Sequence, residues 1–234
     1  MKEGICVKEK STILVATKKS THIESIRAQL KSKYSILMAG TARAAIVTID
    51  QLQPSLILIG TDLPGMVGLA LIKNLRKHSA APIIVLSESS EEHDIVTALD
   101  AGANDVLVLP FGRPEHHARI RAALRYGSNT PCVDSGGFTS SGLSVNYATR
   151  TVTVDGEKVH LTPIEFRIMT LLTINAGKVL THDQIINEIW GPYNSDNLVL
   201  RVNMANIRRK IESNPAEPVY IVTEVGVGYK VVVK

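Results

Sequence analysis

Short apolar runs alternate with amphipathic stretches along the first half of the chain. The runs are hydrophobic at successive positions, which is typical of strands buried on both faces of a parallel sheet. Between them, apolar residues recur at intervals of three and four, which predicts helices. The predicted strands are 13–17, 34–39, 56–59, 83–86 and 106–109, and the predicted helices lie near 20–30, 41–51, 69–75, 91–101 and 114–126.

This alternation predicts an α/β domain over residues 12–126, in which a doubly wound parallel sheet lies between two layers of helices. Ser20 is the expected N-cap of the first helix. In such folds the functional groups lie beyond the carboxyl ends of the strands. The chemistry of this domain is therefore expected at the strand ends, which are Ala16, Thr17, Gly60, Ser87 and Leu109.

A second pattern begins after residues 127–138, whose Gly, Ser and Pro content predicts a linker. Residues 139–234 then form a predicted second domain. Thr162 and Thr181 each start a helix with a capping box, because Glu165 and Gln184 follow three residues later. A third helix and a glycine-bearing hairpin complete a winged helix-turn-helix, an α+β fold. The predicted strands are 143–146, 151–154, 158–161, 219–223 and 228–233.

The third helix, at 197–212, has a composition suited to the major groove of DNA. One face is apolar, and the opposite face carries Val202, Ala205, Asn206 and Arg209. Basic flanks can neutralise phosphates, while Asn and Arg can contact adenine and guanine in pairs of hydrogen bonds. The alternative is a solvated basic face above an ordinary core stripe.

Charge and composition exclude some classes of protein but do not locate a functional site. The 234 residues carry a net charge of +4, divided as +3 over residues 1–138 and +1 over 139–234, so net charge does not locate a nucleic-acid site. No apolar run has the length of a membrane span, and the N-terminus lacks the core of a signal peptide, which predicts a cytoplasmic protein. Cys6 and Cys132 indicate neither a disulfide framework nor a zinc site, and no cofactor is expected.

Several ordered motifs then give the chain a family resemblance. With them the chain resembles the OmpR/PhoB family of two-component response regulators and, within it, the regulators of potassium transport. The resemblance implies a flavodoxin-like (βα)5 receiver domain followed by a winged-helix domain that regulates transcription, and no enzyme activity. The motifs are residues 81–87, 98–105, 110–112, 161–166, 175–181, 190–192 and 224–229.

The same resemblance shows where the chain departs from a working receiver. The family needs two acids after the first strand to hold Mg²⁺, an Asp after the third strand to accept phosphoryl, and a Lys after the fifth. Ser87 retains the switch hydroxyl, and Val106 replaces the switch aromatic. The four other places hold Ala16 and Thr17, Gly60, and Leu109.

These departures predict a receiver that acts without aspartyl phosphorylation. Asp62 lies two residues after Gly60, but in the family this position offers a backbone carbonyl and its side chain is not aimed into the pocket. An alternative reading keeps an input signal, either phosphorylation elsewhere, for example at Asp62, or a ligand in the vacated pocket. In that reading the chain controls potassium-transport genes.

The family resemblance also implies a homodimer formed through the fourth helix, fifth strand and fifth helix. Asp105 and Arg119 occupy one of the charged pairs of that interface. Arg121 is present, but Asn104 replaces its acidic partner. Glu115 is present, but Ile95 stands in place of its basic partner. A partly apolar interface would hold a dimer on repeated half-sites without a trigger; alternatively, these charges are simply solvated.

By position, the resemblance assigns DNA contacts on the third helix and on the wing. Trp190, a candidate phosphate neighbour, has a core role as its alternative. The expected partners are double-stranded DNA and a second copy of the chain, with RNA polymerase as a further candidate; neither a sensor histidine kinase nor a membrane is expected. The assigned residues are Val202, Ala205, Asn206 and Arg209 for bases, Trp190, Arg201, Asn203 and Arg208 for phosphates, and Thr223, Tyr229 and Lys230 on the wing.

Overall fold

The first domain is the predicted doubly wound α/β fold. The computed structural model describes residues 10–64, 69–109, 113–128, 136–192 and 197–233. Five parallel strands lie in the order β2-β1-β3-β4-β5. The elements are β1 (Thr12–Ala16), α1 (Ser20–Leu30), β2 (Ser35–Ala39), α2 (Ala42–Leu52), β3 (Leu56–Gly60), α3 (Leu69–His78), β4 (Ile83–Ser87), α4 (Glu92–Asp100), β5 (Asp105–Val108) and α5 (Arg113–Ser128).

The apolar runs are strands because helices cover both faces of the sheet. All five residues of β3 and all five of β4 are buried, whereas the edge strand β2 has only Ala39 buried. The prediction for the first helix was wrong in one detail. Lys19 is the N-cap of α1, and no side chain caps that helix.

The second domain is a winged helix-turn-helix. A four-stranded antiparallel sheet, β6-β7-β8-β9, precedes the helices, and a three-stranded sheet, β10-β12-β11, contains the wing. The elements are β6 (Gly137–Ser140), β7 (Leu143–Asn146), β8 (Thr151–Val154), β9 (Glu157–Val159), α6 (Pro163–Ile174), β10 (Leu180–Thr181), α7 (His182–Trp190), α8 (Asn197–Ile211), β11 (Ile221–Glu224) and β12 (Gly228–Val231).

Two of these strands were not predicted. Strand β6 begins at Gly137, inside the range assigned to the linker, and only Ser140 in it is buried. Its pairing with β7 holds it in place, so no hydrophobic pattern marks it in the sequence. Strand β10 has two residues and exists through its pairing with β12.

The domains contact each other through helices. Helix α4 of the first domain packs against α8 of the second, and α5 packs against α7. The faces of α4 and α8 that meet were both expected to be surfaces, for dimerisation and for DNA respectively. Across the described ranges, no helix combines the length and the apolar composition of a membrane span.

Both predicted capping boxes are confirmed. At α7, Thr181 Oγ1 accepts a hydrogen bond from the Gln184 N–H at 3.2 Å, and Gln184 Oε1 accepts one from the Thr181 N–H at 2.9 Å. At α6, Thr162 and Glu165 form the same pair of bonds. These caps satisfy backbone donors that a helix start leaves without an intrahelical partner.

Thr181→Ala tests the contribution of the α7 cap. It removes the acceptor for the Gln184 N–H, so the free energy of unfolding should fall by about 1 kcal/mol. In a chain of this size, Tm in a thermal melt should then fall by about 2–4 °C. Thr181→Ser keeps the hydroxyl and should melt near the wild type. Equal losses in both variants would contradict the capping role.

Candidate functional site

The Asp62 side chain occupies the end of β3 where a receiver would carry its acceptor. Thr17 Oγ1 donates a hydrogen bond to Asp62 Oδ1 at 2.8 Å, and the Lys18 N–H donates one to Asp62 Oδ2 at 3.0 Å. A Cβ atom added to Gly60 would overlap the Asp62 carboxylate and lie 2.7 Å from Thr17 Oγ1. Asp62 thus fills the space of the missing side chain, and the expectation that it is not aimed into the pocket was wrong.

The predicted metal positions also need correction. Ala16 is the last residue of β1, paired with Ala39 and Ile59, and its side chain is fully buried in the core. The residues that follow the strand are Thr17 and Lys18, and Lys19 forms an ion pair with Glu88. The edge therefore presents a hydroxyl and two lysines where the family needs acids.

This donor set does not fit Mg²⁺. Magnesium is held by carboxylates and water oxygens in an octahedral arrangement. The Asp62 carboxylate already accepts hydrogen bonds on both oxygens, Glu88 is paired with Lys19, and a lysine follows Thr17. Within the described ranges, no group of three His, Cys, Asp or Glu residues is placed to hold a metal.

Hydrogen bonding keeps Asp62 ionised. Burial would raise the pKa of the Asp62 carboxyl, but the hydrogen bonds from Thr17 Oγ1 and from neighbouring backbone N–H groups outweigh it, so the pKa lies below its ordinary value. The carboxylate is thus stabilised by donors of the chain itself rather than by a metal ion.

The other two predicted pocket residues do not point to phosphoryl chemistry. Ser87 Oγ donates to the Ser89 carbonyl at 3.0 Å and accepts from the Ser89 N–H at 3.1 Å, so its own loop holds it. Leu109 is half-buried and packs against the core. Between the strand ends and α4 lies a cavity of about 410 Å³, lined among others by Gly60, Ser87 and Val106.

Helix α8 does not present its predicted DNA face to solvent in this conformation. Val202 and Asn206 are each only 8% exposed, and α8 packs against α4 of the receiver. The Arg209 guanidinium lies 3.6 Å from Asp100 Oδ1 at the end of α4. The receiver therefore covers part of the surface that would enter a major groove.

The other predicted residues of α8 divide into exposed and occupied ones. Arg201 and Ala205 are exposed. Asn203 is buried, and its side-chain amide donates to the Val199 carbonyl one turn earlier at 2.7 Å, so it does not face a phosphate here. Such a bond to the preceding turn is a local alternative to external contacts.

Arg208 fastens the wing to α8. Its Nη2 donates to the Ile221 carbonyl and to Thr223 Oγ1, each at 2.7 Å, and its guanidinium lies 5.7 Å from the centre of the Tyr229 ring. Burial raises the pKa of Tyr229, which also meets the ring of His182 edge-on. Arg208 and Tyr229 thus set the position of the wing.

The rest of the wing is more accessible. Lys230 pairs with Glu224 across the hairpin at 3.0 Å, and Thr223 is exposed. At the tip, Val225 is 92% exposed and is followed by Gly226 at a φ of 74°, which glycine adopts without strain. The tip is therefore an apolar turn rather than a basic one.

Trp190 is a core residue at the contact between the domains. Its side chain is 3% exposed, and its indole N–H donates to the Asn104 carbonyl of the receiver at 3.3 Å. In this conformation it cannot touch a phosphate, so the structure shows the alternative reading of this residue.

Three of the predicted dimer residues, Asp105, Arg119 and Ile95, are engaged within the chain. Arg119 Nη1 lies 3.0 Å from both carboxylate oxygens of Asp105, and both side chains are largely buried. Asn104 is 1% exposed, so it is not a surface partner for Arg121, which is itself exposed. Ile95 is half-buried against the core. The side chain of Glu115 lies outside the described residues, so its predicted role stays a prediction.

Comparison with known proteins identifies both domains. Residues 13–121 match the response regulator receiver domain, and residues 156–231 match the C-terminal domain of transcriptional regulatory proteins. The chain is 43% identical over 196 residues to the KDP operon transcriptional regulatory protein KdpE of Escherichia coli, covering 83% of this chain and 87% of that protein. The chain belongs to the OmpR/PhoB family of response regulators. It is a DNA-binding transcription regulator and not an enzyme.

Further relatives support the same assignment. The transcriptional regulatory protein KdpE of Mycobacterium tuberculosis is 34% identical over 220 residues, which cover 93% of this chain and 97% of that one. A solved structure of a RitR mutant superposes with a TM-score of 0.74 at 22% identity, over 96% of this chain and 100% of that one, and supports the fold. This response regulator is thus KdpE-like across both domains.

Sequence reasoning missed the residues that join the two domains. Asp100 and Asn104 were not assigned a role in this contact, although Asp100 ends α4 and Asn104 immediately precedes β5. No local pattern marks them, because their partners are distant in sequence. One signal was available: Asn104 stands where the family resemblance implied an acid.

The lowered pKa of Asp62 predicts that its contribution to the free energy of unfolding depends on pH. Because the folded-state pKa is lowered, the stabilisation by the carboxylate is fully present above its ordinary pKa of about 4 and is lost as the pH falls through the folded value. Asp62→Asn should therefore lower the free energy of unfolding at neutral pH, and the deficit should shrink at acid pH. Denaturant titrations between neutral and acid pH measure it. Glu157→Gln, at an exposed carboxyl, is the control. A deficit independent of pH would rule out this account.

Proposed function

We propose that this response regulator controls transcription without aspartyl phosphorylation. The observation that carries the proposal is the Asp62 carboxylate in the place of the acceptor side chain, held by Thr17 and the Lys18 N–H. Phosphoryl transfer needs a free carboxylate nucleophile and a hard cation that neutralises the transferred group. Here the carboxylate is engaged, and Lys18 replaces an oxygen ligand.

The contact between α4 and α8 supports a switch between two exclusive arrangements. In the closed one, α4 and α5 pack against α7 and α8, which covers Val202 and Asn206. In the open one, the same face of α4, β5 and α5 is free to pair with a second copy. A homodimer would then place two copies of α8 on repeated half-sites, since a dimer matches a repeated operator.

A second candidate function keeps an input signal. The cavity of about 410 Å³ beneath α4 has the size of a small-ligand site and lies between the vacated strand ends and the helix that covers α8. A ligand that prefers a shifted α4 would release α8, in a regulator of potassium-transport genes. Phosphorylation of Asp62 is less favoured, because both its oxygens accept hydrogen bonds. A cytoplasmic location stays the prediction from the sequence.

Two assays on the unmodified protein test the leading proposal. After incubation with acetyl phosphate and Mg²⁺, intact-mass spectrometry should find no added phosphate. Selection from randomised DNA duplexes should nevertheless enrich a repeated half-site. Phosphate on the wild type that disappears in Asp62→Asn would support the second candidate instead. Failure to enrich any sequence from the library would contradict DNA reading by the unmodified chain.

Asp100→Ala tests the competition between closure and DNA binding. Removing the carboxylate frees Arg209 and weakens the closed arrangement by the value of one exposed ion pair, about 0.2–1 kcal/mol. DNA affinity in a fluorescence titration should therefore rise by about 1.5- to 5-fold. Sedimentation should show more dimer at the same concentration. Glu92→Ala removes an acid of the same helix that has no ion pair among the described residues, and it should change neither quantity. Weaker DNA binding by Asp100→Ala would contradict closure.

A further inference from the structure

A large cleft lies between the two domains, away from the strand ends. Its volume is about 880 Å³, within the range of small-molecule sites. The receiver contributes the end of α3 and the loops before β4 and β5, and the winged domain contributes the start of α6 and the end of α8. A molecule in this cleft would therefore touch both domains at once.

The walls of the cleft have an excess of positive charge. Its two acids are already engaged, since Asp100 lies 3.6 Å from Arg209 and Glu165 lies 2.6 Å from Lys210. Lys73 on the receiver wall and Arg150 on the winged-domain wall have no carboxylate partner within the described parts of the chain. Each wall thus offers a cation that its own neighbours do not neutralise.

Arg76 adds a buried cation whose hydrogen-bond partners are all neutral. Its guanidinium donates to the Gly102 carbonyl at 2.8 Å, to the Ala81 carbonyl and to Asn104 Oδ1. These bonds use three of the five N–H groups of a guanidinium. Burial lowers the pKa of Arg76 to about 10, and the Glu165 carboxylate opposes this shift only in part. The Asn104 amide nitrogen beside it is buried and has no hydrogen-bond partner among the described residues.

We propose that this cleft binds a small phosphate-bearing polyanion, which bridges Lys73 and Arg76 of the receiver to Arg150 of the winged domain. A compact multivalent anion matches cations that lie on two facing walls, and planar guanidinium groups suit phosphate oxygens. Its binding adds a negative charge next to Arg76, whose own hydrogen-bond partners are all neutral. The shared chemistry is a chain of phosphates, either inorganic or carried by a nucleotide.

Bridging the walls would favour the closed arrangement. The polyanion can contact Lys73 and Arg150 together only while α4 packs against α8, so it binds the closed form more tightly than the open one. A ligand shifts a conformational equilibrium by its difference in affinity for the two states. The anion therefore opposes DNA binding. The inference that the anion opposes DNA binding rests on the proposed function, whereas anion binding itself does not.

Direct binding is tested first, with the full chain and inorganic pyrophosphate as the probe. Calorimetry should show one site per chain, and Tm should rise by about 3 °C at ten times Kd, relative to NaCl at matched ionic strength. Lys73→Gln and Arg150→Gln should each weaken binding by at least about tenfold. Lys77→Gln, at an exposed lysine on α3 outside the cleft, is the matched control. Equal affinity in all four proteins, or no binding at all, would overturn the proposal.

Asn104→Asp tests the role of Arg76 without removing it. The substitution places a carboxylate of the same size against the guanidinium and replaces the buried amide nitrogen with an acceptor. Binding of pyrophosphate should weaken by at least about tenfold, because the protein then neutralises Arg76 itself. Unchanged folding is checked by the near-ultraviolet circular dichroism of Trp190. Unchanged or tighter binding would overturn the bridging site.

The inference that the anion opposes DNA binding is tested by measuring DNA affinity with and without the anion. Pyrophosphate should weaken DNA binding by the wild type, and Lys73→Gln should lose that effect. Because Lys73 is on the receiver, direct competition for the DNA-binding surface would persist in Lys73→Gln and would overturn the proposal. A parallel measurement with ATP distinguishes the two sources of phosphate. If ATP binds more tightly than pyrophosphate, the ligand is a nucleotide. If neither protein binds DNA, the proposed function fails while the calorimetric result still stands.

Discussion

In the proposed mechanism, the function of this regulator depends on the packing of α4 against α8. The Arg209–Asp100 pair joins α8 to the end of α4, and Val202 and Asn206 on α8 are buried. The ion pair is exposed, so it contributes little by itself. The buried indole of Trp190, at the end of α7, donates to the Asn104 carbonyl and adds a directional bond between the two domains. Closure is thus specific in geometry and modest in energy, which is what a competition with DNA requires.

Electrostatics also supports the proposal that this receiver works without a metal ion. A receiver with three acids at the strand ends needs a cation to hold them together, because like charges in one pocket repel. Here Asp62 is the carboxylate at the end of β3, and Thr17 and Lys18 supply its donors. Hydrogen-bond donors of the chain itself therefore stabilise the Asp62 carboxylate. The loss of the acceptor and the placement of Asp62 are therefore one change rather than two.

Much of the fold was predictable, because its strands are buried on both faces. The runs 56–59 and 83–86, within β3 and β4, have no polar position, and the capping boxes at Thr162 and Thr181 mark helix starts by local chemistry. Strand β6 was missed because pairing with β7, not a hydrophobic pattern, makes it a strand. The receiver pocket was predicted in its location but not in its content. Which way the Asp62 side chain turns depends on a donor 45 residues away in the sequence.

The contact between the domains lay beyond prediction for a related reason. Asn104 accepts from Arg76 and from the Ile83 N–H through its side chain and from Trp190 through its carbonyl, so three distant parts of the chain meet at one residue. In the sequence alone, each partner indicates a different role: Arg76 a surface arginine, Ile83 the start of a strand and Trp190 the end of a helix. Only the folded arrangement gives them a common role. An acid at position 104 would neutralise Arg76 within the receiver; with an amide there, the charge of the cleft depends on what enters from solvent.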